Sequence, residues 1–202
     1  MDMKIAGSGQ IASGEYENIR ISGSGKLVGH IRCVSFHSSG SSKGDSIECT
    51  EEFKVAGSSK FSQNVVAKEI SLSGAFSCGG NIKCEKLRVA GLLEANGDIE
   101  AENVTASGVI NCTGLLNAEE ITINFSNGME IGSIGGSKIV ICENYNSIRN
   151  IIILPLFSNL VSNVSKHIGS VRVKNSIEGD SIALEKVSAE RVSGRIVAIG
   201  EG

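Results

Sequence analysis

Residues Phe53 to Ala95 read FKVAGSSKFSQNVVAKEISLSGAFSCGGNIKCEKLRVAGLLEA, and one short pattern recurs through this stretch. Gly57, Gly74 and Gly91 stand at equal intervals of seventeen positions, and an apolar residue lies two positions before each of them. The same spacing extends in both directions to Gly23, Gly40 and Gly108. A fixed period of this kind is the signature of a repeat protein, whose units are stacked supersecondary elements.

Apolar columns run through the chain in phase with the glycines. One column lies two positions before the glycine, and others lie eight and thirteen positions after it, although the unit after Ser38 is one position out of phase at Ile47. Ten positions after the glycine lies a column of small residues, Cys33, Ala67, Cys84, Ala101 and Ala118. The predicted core therefore contains Ile21, Leu27, Ile31, Phe36, Phe53, Val55, Phe61, Val65, Ile70, Leu72, Ile82, Leu87, Val89, Ile99, Val104, Leu116 and Ile121.

The period predicts an all-β fold. A period of about 17 residues is too short for a helix-turn-helix repeat, and the alternation of apolar and polar residues within a unit favours three short strands joined by tight turns. No unit can bury its own apolar face, so like columns must stack on like columns. The prediction is a single-stranded parallel β-helix (β-solenoid), right-handed, with about 17 residues per coil and about ten coils, giving a rod about 50 Å long.

The repeat is interrupted once. We predict solenoid coils over residues 1–142, an apolar, helical insertion over 143–169, and further coils over 170–202, where Ile182, Val187, Val192 and Val197 recur at every fifth position. An amphipathic helix is expected from Pro155 to His167. It would pack on the solenoid, exchange between protomers, or contact a partner or membrane through Ile152, Leu154, Leu156, Phe157 and Leu160.

The composition and charge of the chain argue against several classes of function. The 202 residues carry 19 Lys and Arg against 22 Asp and Glu, a net charge of −3, which predicts no partner among nucleic acids and no electrostatic attraction to an anionic membrane. No apolar stretch approaches the ~20 residues of a transmembrane helix. The opening residues lack the features of a signal peptide, so we expect a cytoplasmic protein, with peripheral membrane association left open.

Catalytic, metal and cofactor chemistry are not expected. The six cysteines should be thiols in a reducing compartment, and those in columns shared with alanine are expected to be small buried hydrophobes. Cys33 and Cys49 lie in adjacent coils, close to disulfide range. There is no CxxC or His-x-His spacing for a metal, and His30, His37 and His167 are scattered along the chain. The Ser-Gly-Ser-Gly stretches are not followed by Lys-Ser/Thr, so no nucleotide site is predicted.

Several short motifs follow one another along the chain: Ile5-Ala6-Gly7-Ser8-Gly9, Ile19-Arg20-Ile21-Ser22-Gly23-Ser24-Gly25, the Gly-[His/Asn/Asp]-Ile-x-[Cys/Ala] turns, and later 134–139 and 177–185. In these motifs and their order the chain resembles the bactofilins, polymer-forming cytoskeletal proteins of bacteria. The resemblance implies a right-handed β-helix that assembles end to end, without nucleotide, into filaments or sheets at the cell envelope. Members of the family typically carry disordered tails that flank the core, and we expect none before Ile5. The repeat stops abruptly at Gly200-Glu201-Gly202, which predicts either a bare terminal coil or a truncated sequence.

Elementary physics also favours assembly. An uncapped β-helix exposes unpaired backbone groups and an open apolar core at each end, and joining ends removes both liabilities. We expect a homopolymer joined through Met3, Ile5 and Ile11 at one end and Val197 and Ile199 at the other, with a paralogue or an envelope protein as further partners. Two alternatives stay open: a non-polymerising adaptor that recruits partners through 151–167, and a solenoid enzyme or acyltransferase.

Overall fold

The computed structural model describes residues 1–143 and 169–200 of the chain. Over these residues the ordered elements are all strands, and they contain no helix. The helix predicted for Pro155 to His167 lies outside the described residues. The strands are β1 (Met3–Ile5), β2 (Ser8–Ile11), β3 (Gly14–Glu15), β4 (Asn18–Ile21), β5 (Ser24–Leu27), β6 (His30–Ser38), β7 (Ser41–Gly44), β8 (Ser46–Val55), β9 (Ser58–Phe61), β10 (Val65–Val66), β11 (Glu69–Leu72), β12 (Ala75–Cys78), β13 (Ile82–Lys83), β14 (Lys86–Val89), β15 (Leu92–Ala95), β16 (Ile99–Ala106), β17 (Val109–Asn124), β18 (Met129–Cys142), β19 (Val171–Val173), β20 (Ser176–Leu184), β21 (Val187–Ser188) and β22 (Arg191–Ile199).

Every strand pairs in parallel with the strand one coil away. Ile70 lies beside Leu87, and Leu87 lies beside Val104, so the equivalent residues of successive coils stack directly on one another. The predicted parallel β-solenoid of about ten turns is therefore confirmed.

The coil length changes at the places where the sequence pattern slips. In the first coil Ile5 pairs with Ile21, one position short of the regular period, and near the end Ile177 pairs with Val192, two positions short of it. Between β6 and β8 the register shifts within the strands, since Cys33 faces Cys49 but Phe36 faces Phe53. A β-bulge absorbs the extra residue there and restores the apolar column.

The core is a continuous apolar column inside the coils. Every side chain that the sequence predicted for it is at most 2% exposed. Coils three to five also hold an aromatic cluster, in which Phe36 stacks on Phe53 with ring centroids 4.9 Å apart and Phe76 meets Phe53 edge-on at 5.2 Å. The inward-facing Ser42 and Ser59 are small, and their hydroxyls hydrogen-bond to each other at 2.5 Å. The core of these coils is thus filled by large aromatic rings together with small serine side chains.

Two corners hold the coils in register. At the glycine corner, a Cβ on Gly74 would lie 2.0 Å from the carbonyl oxygen of Gly57, so the coils approach too closely for any side chain. At a second corner, the side chain of Asn81 accepts a hydrogen bond from the Asp98 backbone N–H at 3.0 Å. The Asp98 carboxylate in turn accepts the Leu115 N–H at 2.8 Å. The turn residues therefore form a ladder that repeats with the coils.

The stack continues on the far side of the predicted insertion. Ile134 pairs with Ile177 and Ile139 with Ile182, so residues 171–200 extend the solenoid formed by residues 1–142. On β18, four consecutive side chains from Ile139 to Cys142 are buried. Val140 faces outward from the interior column, so both faces of this strand are covered.

Candidate functional site

The end coil at the C-terminal side leaves core columns exposed. Val197 continues the column of Ile139 and Ile182, and its exposure rises to 41% where theirs is 0%. Ile199 continues the column of Ile141 and Leu184 and is 70% exposed, whereas Leu184 is 3% exposed. An apolar surface therefore lies at this end because no described coil stacks on β22.

The backbone of this end coil is also partly unpaired. Strand β22 pairs with β20 on one side, and none of the described strands pairs with its other side. Such an edge presents a row of N–H and C=O groups that can template another strand. On the paired side, Arg191 forms an ion pair with Glu178 and holds the pKa of that carboxyl below its usual range. Arg191 thus ties this coil to the preceding one, while the core positions Val197 and Ile199 stay uncovered.

The N-terminal end coil is different because its own side chains cover its core. Ile5 is 8% exposed and Ile11 only 1%, while Met3 is half-buried. Gly14 occupies the column that holds Ile31 in the next coil, and Tyr16 follows into the column of small residues. A Cβ on Gly14 would lie 3.6–3.8 Å from the Tyr16 ring, whose hydroxyl donates to the Ala12 carbonyl at 2.9 Å. The tyrosine ring therefore fills the space of the absent isoleucine.

The candidate assembly residues thus fall into two groups. Val197 and Ile199 form an exposed apolar end, whereas Ile5 and Ile11 are covered within their own coil. The sequence predicted an assembly contact at both ends. The sequence carries one signal of this difference between the ends. Gly14 stands in an apolar column, and Tyr16 stands in the column of small residues.

The cysteines are buried free thiols. Cys33 and Cys49 lie with their sulfurs 3.4 Å apart, and the contact with Cys33, together with burial, raises the pKa of Cys49. Burial raises the pKa of Cys84 and Cys142 to about 12 and that of Cys112 to about 11. Protonated, buried thiols are poor nucleophiles and poor metal ligands. Within residues 1–143 and 169–200, no group of three or more His, Cys, Asp or Glu side chains is arranged to hold a metal ion.

The second set of candidates cannot be placed. Ile152, Leu154, Leu156, Phe157 and Leu160, predicted to contact a partner or membrane, lie outside the described residues. In the part of the chain that the structure describes, no helix is long and apolar enough to cross a membrane.

One repeated set of charges was not predicted from the sequence. Lys26, Lys43 and Lys60 recur with the period of the repeat and stack in one outward-facing column. The spacing was visible in the sequence, but the net charge of −3 gave no indication of it.

Comparisons with protein-family models, with curated proteins and with solved structures found no match to this chain.

Proposed function

We propose that this protein is a non-enzymatic, self-assembling scaffold of the bactofilin type. Right-handed solenoids stack end to end, without nucleotide, into cytoplasmic filaments that serve cell shape or envelope organisation. The order of the repeat motifs along the chain supports the family. The burial of the cysteine thiols supports a structural role for them, because a buried, protonated thiol is a poor nucleophile.

One observation carries the proposal: the exposed core columns at Val197 and Ile199. Burying these side chains against a second copy removes apolar surface from water at about 25 cal/mol per Å². The unpaired edge of β22 gains hydrogen bonds in the same step, so packing and backbone pairing act together.

The difference between the ends sets the order of assembly. A contact between two C-terminal ends is isologous and covers both exposed surfaces at once. The N-terminal coil, with Ile11 only 1% exposed, gains less apolar burial from a contact. We therefore expect dimers joined at their C-terminal ends at low concentration and filaments, which need both ends, at higher concentration.

The test is negative-stain electron microscopy with size-exclusion chromatography across a concentration series. Ile199→Lys places a charge on the exposed end, so we expect it to abolish the dimer and the filaments while leaving the β-sheet circular dichroism unchanged. Leu115→Lys is the matched control, because Leu115 is 39% exposed in the middle of the rod. Ile5→Lys and Ile11→Lys should also shorten filaments, but they introduce a charge at buried positions and need a folding control.

Two results would count against the scaffold. A wild-type chain that stays monomeric at every concentration leaves the exposed end without a role in assembly. Filaments of unchanged length in Ile199→Lys would place the contact elsewhere on the rod.

A non-polymerising adaptor is the second candidate. Such an adaptor recruits partners through residues 151–167, whose apolar side chains the sequence predicts as the contact. A monomer or dimer at all concentrations, unaffected by Ile199→Lys, would favour the adaptor.

A further inference from the structure

Two rows of basic side chains flank the glycine corner in the first four coils. Lys4, Arg20, His37 and Lys54 stack in one outward-facing column before the corner. Lys26, Lys43 and Lys60 stack in a second column after it. We call these seven residues the basic face. With coils about 4.8 Å apart, the first row spans about 15 Å along the rod.

The cations of the basic face are largely without partners. Lys54 pairs with Glu52 at 2.8 Å, and the same carboxylate contacts His37 at 3.2 Å. None of the other five lysines and arginines in the two rows forms an ion pair with a described carboxylate. Elsewhere on the rod most cations are paired across coils, as Lys83 is with Glu100 at 3.0 Å. Unpaired positive charge is therefore concentrated on one face of a chain whose net charge is −3.

Stacked like charges are unfavourable without a counter-charge. Lys26, Lys43 and Lys60 lie directly opposite one another in neighbouring strands, where like charges are destabilising. An anion that bridges successive coils removes this repulsion and adds charge-assisted hydrogen bonds. The stacked positive charges therefore favour a ligand that carries several negative charges in a line.

A groove beside the first row suits an extended ligand. A depression of about 510 Å³ is lined by Lys4, Arg20, His37 and Lys54 on one side, and by Ser22, Ser39 and Ala56 at the corner. Its axis follows the stacking direction because each lining residue repeats in the next coil. The corner residues are small, so a chain can approach the backbone, and the serine hydroxyls can donate to anionic oxygens.

We propose that the basic face binds a linear phosphate polymer lying along the solenoid axis. Lys4, Arg20 and Lys54 contact it where they line the groove, and the second row adds positive potential beyond the corner. A flat anionic bilayer fits less well, because the exposed corner residues carry no large apolar side chains to enter it. This inference does not rest on self-assembly, since all seven residues lie on the side of the rod.

The probe is inorganic polyphosphate, titrated against the protein by isothermal calorimetry at low and at near-physiological salt. The test variant is Lys4→Ser, Arg20→Ser and Lys54→Ser combined, because these cations line the groove and Ser71 occupies the next place in that column. The control combines Lys68→Ser, Lys83→Ser and Lys86→Ser, which change the net charge equally on other parts of the surface. Circular dichroism verifies that both variants fold, and the titration is repeated on Ile199→Lys to separate binding from assembly.

We expect saturable binding by the wild type, at least about tenfold weaker binding by the test variant, and little change in the control. The slope of log K against log salt should fall by about 2, because three phosphate contacts are lost. The proposal is overturned if polyphosphate does not bind at low salt, or if both triple variants lose affinity equally. Binding to anionic phospholipid vesicles in preference to polyphosphate would overturn it in favour of a membrane surface.

Discussion

Replacing Gly74 by alanine tests how closely the coils of this solenoid approach one another. A Cβ at this position would lie 2.0 Å from the Gly57 carbonyl oxygen, whereas such contacts essentially never fall below 3.0 Å. The neighbouring atom is backbone and cannot rotate away. The two coils must therefore separate by about 1 Å at the corner, or the chain must leave its path there.

The energetic cost follows from the hydrogen bonds that this separation lengthens. Ser73 donates to the Val55 carbonyl at 2.9 Å, Gly74 donates to the same carbonyl at 3.2 Å, and Ala75 donates to Gly57 at 2.9 Å. An added separation of about 1 Å takes all three beyond hydrogen-bond range, at about 0.5–1.5 kcal/mol each. The lower entropy of the unfolded alanine chain returns about 0.5 kcal/mol, so we expect a net loss of about 2–3 kcal/mol.

The measurement is urea denaturation followed by circular dichroism, combined with hydrogen exchange at the corner. Gly7→Ala is the matched control, because Gly7 heads the same column and a Cβ there meets nothing within 4 Å. We expect the control to change stability by less than about 0.5 kcal/mol. If Gly74→Ala is as stable as the wild type, or Gly7→Ala is equally destabilised, close coil approach is not the reason for the glycine column.

Three further predictions concern the core, the thiols and the turn ladder. Phe53→Ala should lower the free energy of unfolding by about 3–5 kcal/mol in urea, because it removes a buried ring that stacks on Phe36; a loss below about 1 kcal/mol would contradict the cluster's role. Burial raises the pKa of Cys84 to about 12, so the folded state keeps a proton that the unfolded thiol releases above about pH 8.5. Thermal stability should therefore fall from about pH 8 to about pH 11, and less steeply in Cys84→Ala; an identical slope in both proteins would refute this. Asn81→Ala should cost about 1 kcal/mol in the same urea assay because the Asp98 N–H loses its acceptor, whereas Asn81→Asp should keep it; equal losses in both variants would argue against the ladder.

Periodicity made the fold predictable from the sequence. Each apolar column, such as Ile70, Leu87 and Val104, recurs in a register that the structure reproduces residue by residue. Repeat proteins allow this because each unit contacts only its neighbours, so a local pattern specifies the global arrangement. Even the slip at Ile47 was visible, since the structure pairs it with Ile31, one position short of the regular period.

The asymmetry of the ends was not predictable from the repeat alone. Ile5 and Ile199 stand at opposite ends of one column, yet Ile5 is 8% exposed and Ile199 is 70% exposed. At the C-terminal end no described coil stacks on β22, whereas at the other end Tyr16 packs beside Gly14 and against the core. Burial at an end depends on the few side chains that have a neighbour on one side only, and a periodic pattern carries no information about them.

The distribution of charge over the surface also depends on the tertiary structure. The sequence by itself determined the coil length, the core columns and the glycine corner, because these depend on spacing along the chain. Only the tertiary structure brought the two rows of the basic face to either side of one corner, and placed Glu52 as the partner of Lys54 and His37. Charges interact through space, so a net charge of −3 summed over the chain cannot show that positive charge is concentrated on one face.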